Sequence, residues 1–244
     1  MRVKEILSLL DEISPFSLQE SWDNSGLQVG DLNQEIENIY LCIDLDFDLI
    51  ASLPPNSLLI THHPLIFTKL TSIEYNSYPA KLLVELIKKD IALIAMHTNF
   101  DKTHLNAYVA RHVLGVEPEC EEFICYFAKS IDFDEALRWV SKAFGLVAPR
   151  YVRAKKQIDR IALTTGSGGG VLDLVKADLF LTGDLKYHDA MKAKMLGINV
   201  IDIGHFESER YFADALNAQL QRRGIKAIIA SIKNPLEVSN ERVY

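Results

Sequence analysis

The chain has 244 residues, of which 48% are hydrophobic and 24% are charged, and its formal net charge is −7. This composition is typical of a soluble globular protein with enough chain for one large α/β unit or two smaller ones. The negative charge argues against a nucleic-acid partner, because binding phosphates requires clustered Lys and Arg side chains.

Further features of the composition bear on the expected location. No apolar run approaches the ~18 residues that a membrane span requires, and Glu5, Asp11 and Glu12 interrupt any signal-peptide pattern. The three cysteines form no CxxC motif and leave an odd one over, which argues against a disulfide framework or a zinc ribbon. We therefore expect a cytoplasmic protein without a membrane partner.

Strands and helices alternate along the predicted chain. Helices are expected at residues 2–13, 79–89, 103–114 and 206–223, and strands at 38–44, 57–60, 91–96, 123–128, 146–153, 158–163, 178–182, 198–203 and 225–230. The apolar run at 91–96 is typical of a strand that is covered on both faces. The alternation predicts an α/β fold with mixed sheets flanked by helices.

Histidines follow three of these strands at their carboxyl ends, where open α/β sheets collect functional groups. His62 and His63 follow one strand, His97 follows the next, and His205 follows the strand at 198–203. Consecutive residues that leave a strand point to opposite sides, so an adjacent pair of histidines suits two targets better than one. The clustering predicts a metal site, and the His-His pair suggests two ions.

Carboxylates occur at matching positions. Asp101 lies four residues after His97, and Glu209 lies four residues after His205, where an i, i+4 pair on a helix can face one point. Three imidazoles and two carboxylates bring a charge of about −2 against +4 for two divalent ions. The remaining charge favours hydroxide over water as a bridging ligand, which gives a nucleophile near neutral pH.

Several of these residues have an alternative interpretation. His205 and Glu209 are compatible with an ordinary surface pair, and His97 with a residue that supports the ligands from outside the coordination sphere. Asp184 is interpreted as a cap or loop charge. The glycine-rich segment 166–170 lacks the GxGxxG spacing and the P-loop lysine, so tight turning or close packing is preferred over phosphate binding.

Five segments resemble the Nif-three-like family of dinuclear metal-centre proteins, which includes homologues of type-two GTP cyclohydrolase I. They are SWDNSGLQVG at 21–30, ITHHPL at 60–65, HTNFD at 97–101, GDLKYH at 183–188 and GHFESE at 204–209. The chain is similar to the short members that lack a central inserted domain. It departs from the family pattern at residues 102–105, where KTHL replaces a glycine-rich turn of small residues, and this concerns the shape of the substrate entrance.

The resemblance implies two divalent ions per subunit, with a carboxylate bridging them. The implied ligands are His62, His63, Asp101, His205 and Glu209. It also implies two related α/β lobes with the metals in the cleft between them, and a ring-shaped homohexamer. We expect the lobes at residues 1–118, completed by 225–244, and at 119–224, tightly associated and without a linker. Imidazole and carboxylate ligands suit zinc, iron, manganese or nickel.

Two functions are compatible with these residues. One is a metal-dependent hydrolase that opens the purine ring of a nucleotide such as GTP by attack of metal-activated hydroxide, with His97 or His188 moving protons. Lys186 would then meet a phosphate, although a surface lysine at a helix start is the preferred interpretation. The other is a non-catalytic protein that stores or delivers metal, or acts as a scaffold through its ring. Both need the same ligands, so the ligand set does not separate them.

Overall fold

The computed structural model describes residues 1–238 and divides them into two compact units. One comprises Met1–Asp101 and Tyr211–Lys233, and the other comprises Lys102–Arg210 and the described residues from Asn234 on. Each unit contains one mixed sheet with helices, which confirms the predicted α/β class. The lobe boundaries at 118 and 224 stay a prediction, and residues 239–244 of the predicted C-terminal segment lie outside the described residues.

Helices and strands alternate through most of the described chain. The helices are α1 (Val3–Ile13), α2 (Phe47–Ser52), α3 (Ala80–Lys88), α4 (Thr98–Phe100), α5 (Asn106–His112), α6 (Phe133–Phe144), α7 (Tyr187–Leu196), α8 (His205–Glu209) and α9 (Phe212–Gln221). The strands are β1 (Gly26–Val29), β2 (Asn38–Cys42), β3 (Ser57–Thr61), β4 (Ala92–Ala95), β5 (Glu119–Glu121), β6 (Ile124–Asp132), β7 (Tyr151–Val152), β8 (Gln157–Leu163), β9 (Leu179–Thr182), β10 (Asn199–Asp202) and β11 (Ile228–Ile229). None of the helices in the described part is long and apolar enough to cross a membrane.

The sheet of the first unit has the strand order β1-β4-β3-β2-β11. β1 is antiparallel to β4, and the other neighbours are parallel. All residues of β3 and β4 are buried, as expected for central parallel strands. Cys42 lies opposite Thr61, and Thr61 lies opposite Ala95. The residues that follow β2, β3 and β4 therefore leave the sheet at one edge.

The sheet of the second unit has the order β5-β6-β8-β9-β10-β7. Its centre is the parallel trio β8, β9 and β10, and the remaining pairs are antiparallel. Leu163 lies opposite Leu181, and Asp202 lies opposite Thr182. The chain after each of the three parallel strands therefore emerges at the same edge, as in the first unit.

The predicted single helix over 206–223 is wrong, because the structure divides it into α8 and α9. Helix α8 buries two polar side chains, Ser208 and Glu209, in the second unit. Helix α9 buries Phe212, Leu216 and Leu220, and it belongs to the first unit. Two helices with different buried faces thus follow each other without a proline or glycine to mark the break.

The cysteines form one disulfide that the sequence did not predict. Two of them form a disulfide, Cys120–Cys125, because the hairpin of β5 and β6 places them directly opposite each other. This is one bridge rather than a framework, and the short spacing alone did not reveal the hairpin. The third, Cys42, is buried in β2, and this burial raises the pKa of its thiol.

Candidate metal centre

His62 and His63 follow β3 in a turn that the neighbouring strand holds in place. The backbone N–H groups of both histidines approach the carbonyl oxygen of Ile43, each at 3.2 Å. The hydroxyl of Thr61 donates to the carbonyl oxygen of His63 at 2.8 Å. His62 is fully buried, whereas the side chain of His63 is partly exposed. The two rings diverge from the strand with their centroids 5.0 Å apart.

The tautomer of His62 follows from its backbone contact. Its Nδ1 lies 2.9 Å from the carbonyl oxygen of Met96, which can only accept, so Nδ1 carries the hydrogen. In the neutral ring the lone pair is therefore on Nε2, which lies 3.4 Å from Oδ1 of Asp101. An imidazole lone pair and a carboxylate oxygen that face each other are a suitable donor set for a divalent cation.

Carboxylates hold two further rings of the first unit. Nδ1 of His63 bonds Oδ2 of Asp44 at 2.7 Å, and Nδ1 of His97 bonds Oδ1 of Asp23 at 2.8 Å. A carboxylate on one ring nitrogen orients an imidazole and increases the basicity of the other nitrogen. One ring nitrogen from each of His62, His63 and His97 lies within 4.8 Å of the other two, so this group could hold a metal ion.

Asp23 is the most heavily bonded carboxylate of this cluster. Besides His97 it accepts hydrogen bonds from the backbone N–H groups of Asn24 and Thr98 and from the Thr98 hydroxyl. Burial raises the pKa of Asp23, but the bonds from His97 and Thr98 outweigh it and hold the pKa well below its usual range. Asp23 therefore stays ionised and fixes the His97 ring.

Asp101 reaches the cluster through the short helix that follows His97. Its backbone N–H bonds the carbonyl oxygen of His97 at 3.0 Å, so one helical turn separates the two side chains. The side chain of Asp101 is largely buried. The spacing of four residues thus brings the Asp101 carboxylate to His62, which comes from the neighbouring strand.

In the second unit His205 and Glu209 form the corresponding group. Nδ1 of His205 bonds Oδ2 of Asp184 at 2.7 Å, and its Nε2 lies 2.8 Å from Oε2 of Glu209. The Glu209 side chain is only 4% exposed, so an ordinary solvated surface pair does not describe it. Asp184, interpreted from the sequence as a cap or loop charge, instead orients the imidazole.

Glycines make room for this group. Gly166 has a φ of +62°, and a Cβ atom there would overlap Oε1 of Glu209. A Cβ atom at Gly183 would lie 2.6 Å from the backbone nitrogen of His205. The Gly166 N–H donates to the Ser208 hydroxyl at 2.9 Å, which ties the loop to α8. These contacts agree with the close-packing interpretation of the glycine-rich segment.

The two remaining predicted residues lie near the start of α7. Lys186 and His188 are both exposed. The backbone N–H of Lys186 bonds Oδ2 of Asp189 at 3.3 Å, and the His188 ring contacts that of Tyr187. The roles of Lys186 and His188, and the convergence of all five predicted ligands on one pair of ions, stay predictions.

Sequence reasoning missed the three aspartates that orient the histidines. Asp44 and Asp184 carried a usable signal, because each follows a strand by two residues and that strand is the parallel neighbour of a histidine-bearing strand. Asp23 carried none, because it lies in the loop before β1 and reaches His97 from 74 residues away.

Comparison with known proteins gives a consistent set of similarities. The model of the Duf34/NIF3 (NGG1p interacting factor 3) family matches residues 1–235. A Campylobacter jejuni protein named GTP cyclohydrolase 1 type 2 homolog is 45% identical over 239 residues, covering 97% of this chain and 99% of that protein. The Helicobacter pylori GTP cyclohydrolase 1 type 2 is 40% identical, covering 97% and 98%. The crystal structure of Staphylococcus aureus hypothetical protein SA1388 shares the fold, with a TM-score of 0.84, 24% identity, and coverage of 98% and 99%.

Proposed function

We propose that this chain, which belongs to the Duf34/NIF3 family, is a metal-dependent hydrolase that acts on a purine nucleotide or a related small molecule. One observation carries the metal part of the proposal: the three histidines proposed as ligands each direct Nδ1 at an oxygen acceptor. They are His62, His63 and His205. Each neutral ring then presents the Nε2 lone pair to a cation. The names of the relatives from Campylobacter jejuni and Helicobacter pylori support a nucleotide substrate.

The proposed centre contains two divalent ions, of zinc, iron, manganese or nickel. The proposed ligands are His62, His63, Asp101, His205 and Glu209. Each ion commonly takes at least four donors, so a carboxylate shared between the ions would serve both and would offset their mutual repulsion.

The ions would supply activation of water at neutral pH. The residues of the chain would then bind the substrate and move protons. Nε2 of His97 is the proposed proton acceptor, because the Asp23 carboxylate at Nδ1 fixes the orientation of the ring. His188 is a second candidate for proton transfer and Lys186 a candidate phosphate contact, since both side chains are exposed at the start of α7.

Metal analysis and turnover of the same preparations test this function. The purified protein would be assayed for bound metals and for hydrolysis of GTP, other nucleotides and phosphoesters. His63→Ala and Glu209→Ala should lose both metal and turnover, whereas the exposed His112→Ala, which contacts Tyr108, should retain both. Unchanged turnover in His63→Ala would remove the hydrolase. Metal binding without turnover of any substrate would favour the non-catalytic function.

We also propose that the protein forms a homo-oligomer, with the hexameric ring as the expected state. An apolar stripe on α7 supports self-association: Tyr187, Met191 and Met195 follow one another at intervals of four residues and are 73%, 49% and 84% exposed. Light scattering at micromolar concentration measures the mass. Replacement of Met191 and Met195 by lysine should lower it, and a monomeric parent protein would refute the ring.

A further inference from the structure

Two exposed aromatic side chains stand beside the histidine cluster of the first unit. Trp22 is 57% exposed and Phe67 is 49% exposed, and their ring centroids lie 6.0 Å apart. Each centroid lies 6.2 Å from that of His97. The His97 centroid in turn lies 5.2 Å from that of His62 and 5.5 Å from that of His63. An apolar surface that contacts solvent therefore adjoins the candidate metal ligands directly.

Hydrogen bonds hold both rings in position. The Asn24 side-chain amide donates to the carbonyl oxygen of Ile66 at 2.6 Å, and Oε1 of Gln28 accepts from the Ile66 N–H at 3.0 Å. The Gln28 amide also donates to the Asn24 carbonyl oxygen at 2.6 Å. Ile66 immediately precedes Phe67. Two hydrogen bonds thus join the segment around Trp22 to the segment that carries Phe67, and a third fixes Gln28 to Asn24 within the first segment.

The backbone at Trp22 has a second anchor in its neighbour. Asp23 follows Trp22, and its buried carboxylate is fixed by His97 and Thr98. Folding therefore determines where the indole lies, yet it leaves more than half of that side chain in contact with water. Large aromatic side chains are usually buried, since removing their surface from water stabilises the fold. An aromatic pair that is both positioned and exposed is typical of a binding surface.

We propose that Trp22 and Phe67 bind the flat heteroaromatic ring of the substrate by stacking and so position it against His97. This deepens the proposed function and rests on it for the substrate class. The two ring planes meet at 64°, so a flat ligand that stacks on one ring presents its edge to the face of the other. His97 adjoins both rings and both ligand histidines, so a ring held there lies next to the group proposed to accept the proton.

Stacking by the aromatic pair does not select one purine base over another. Every purine has a π-face, so base–aromatic stacking tolerates changes of the base. The aromatic pair therefore positions guanine and adenine rings alike, and polar contacts elsewhere choose between them. Loss of either aromatic side chain should weaken the binding of GTP and of ATP by the same factor. The binding of an anion without a ring should not change.

Tryptophan fluorescence provides a direct test, because the chain has only two tryptophans. The other, Trp139, lies in α6 of the second unit, where it contacts Phe127 and Lys129. In Trp139→Phe, purified with its metal, the emission reports Trp22 alone. GTP and ATP should quench this emission, whereas inorganic triphosphate should leave it unchanged. Equal quenching by triphosphate would overturn the inference, and so would a concentration-dependent emission without nucleotide, which would indicate burial against a second copy.

Variants of the aromatic pair separate stacking from a merely structural role. GTP binding by Phe67→Leu would be measured by quenching in the Trp139→Phe background, and GTP binding by Trp22→Leu would be measured by calorimetry. Each variant should bind GTP about 5- to 150-fold more weakly than its parent. Phe67→Tyr and Trp22→Tyr should restore most of the affinity. Metal content should equal that of the parent in all four. GTP affinity unchanged in both leucine variants, or metal loss in the tyrosine variants, would overturn the inference.

The outcomes also distinguish this inference from the proposed hydrolase. If GTP quenches Trp22 and the leucine variants bind it weakly, but no preparation hydrolyses any nucleotide, the stacking site stands and the hydrolase fails. If GTP is hydrolysed with the same KM by Phe67→Leu, Trp22→Leu and the parent, the hydrolase stands and the stacking site fails.

Discussion

A parallel strand pair in each unit carries the same histidine–carboxylate arrangement. β2 and β3 place Asp44 beside His63, and β9 and β10 place Asp184 beside His205. The contact joins Nδ1 to Oδ2 in both units, at 2.7 Å in each. Parallel register brings the two strand ends side by side, so a carboxylate after one strand meets an imidazole after its neighbour. One local geometry thus recurs in two sheets with different strand orders.

The two units differ in what they add to this pair. The first adds two imidazoles and an acid, His62, His97 and Asp101. The second adds only an acid, Glu209, one helical turn beyond its histidine. His62 is fully buried, whereas the His205 side chain is 34% exposed. A neutral imidazole is less costly to bury than a carboxylate, so the buried Glu209 depends more on its surroundings than His62 does.

The largest effects are expected when a ligand histidine is removed. His62→Ala and His205→Ala should each weaken metal binding by more than about 100-fold, because the effect of a ligand exceeds that of the groups that orient it. In chelator-treated protein, the buried His62→Ala should also cost about 2–3 kcal/mol of unfolding free energy, and His205→Ala less than about 1 kcal/mol. Chelator competition and denaturant unfolding measure the two quantities. Equal destabilisation by both would contradict the difference in burial.

Gly166→Ala tests whether the Glu209 carboxylate needs the space that the missing side chain of Gly166 leaves free. The added methyl group would displace the carboxylate and occupy a backbone conformation that favours glycine, so we expect about 2–3 kcal/mol of destabilisation together with weaker metal binding. Gly145→Ala in the same unit is the matched control. It has a φ of +72° but no atom within 4 Å of the new methyl group, so only about 1 kcal/mol should be lost and metal binding should persist. Equal metal loss in both variants would refute the close-packing role.

Asp44→Asn and Asp184→Asn probe whether the two histidine–carboxylate pairs are equivalent. Each should lower metal affinity by about 10- to 100-fold, because the amide no longer provides the charge that orients and polarises the ring. The shared 2.7 Å geometry predicts factors that agree within experimental error. Metal titration against a competing chelator measures both, and a clear inequality would show that the units use their pairs differently.

The smallest effect is expected at Asp178, which precedes β9 at the other end of the second unit's sheet. Burial raises its pKa, but Lys155 and the N–H groups of Asp159 and Arg160 outweigh this and lower it. The ionised carboxylate therefore stabilises the fold above the unfolded pKa of about 3.9, and this stabilisation is lost as pH falls towards the lower folded pKa. Asp178→Asn should be slightly less stable than the parent at pH 7, with the difference vanishing in acid and metal binding unaffected. A constant difference in urea unfolding between pH 7 and pH 3 would contradict this.

The sequence predicted the class of the fold and the histidine positions, because both depend on local patterns. Buried parallel strands appear as apolar runs, and a histidine after such a run is visible without knowledge of the neighbours. The partners were not visible, because Asp44 becomes informative only once β2 is known to lie beside β3. Strand β7 is also shorter than the predicted 146–153, since only Tyr151 and Val152 pair with β10, and Pro149 has no N–H to donate.

The outer strands of the two sheets bear on how the protein avoids aggregation. Of the four outer strands, β7 and β11 contain two residues each, β5 contains three, two of them glutamates, and β1 contains four. The disulfide fastens β5 to β6, which keeps the paired part of β6 covered. Short or acidic rims offer a poor template for backbone pairing with another molecule. Any association between copies would therefore be left to side-chain surfaces, which permit a defined stoichiometry where open strand edges would permit fibres.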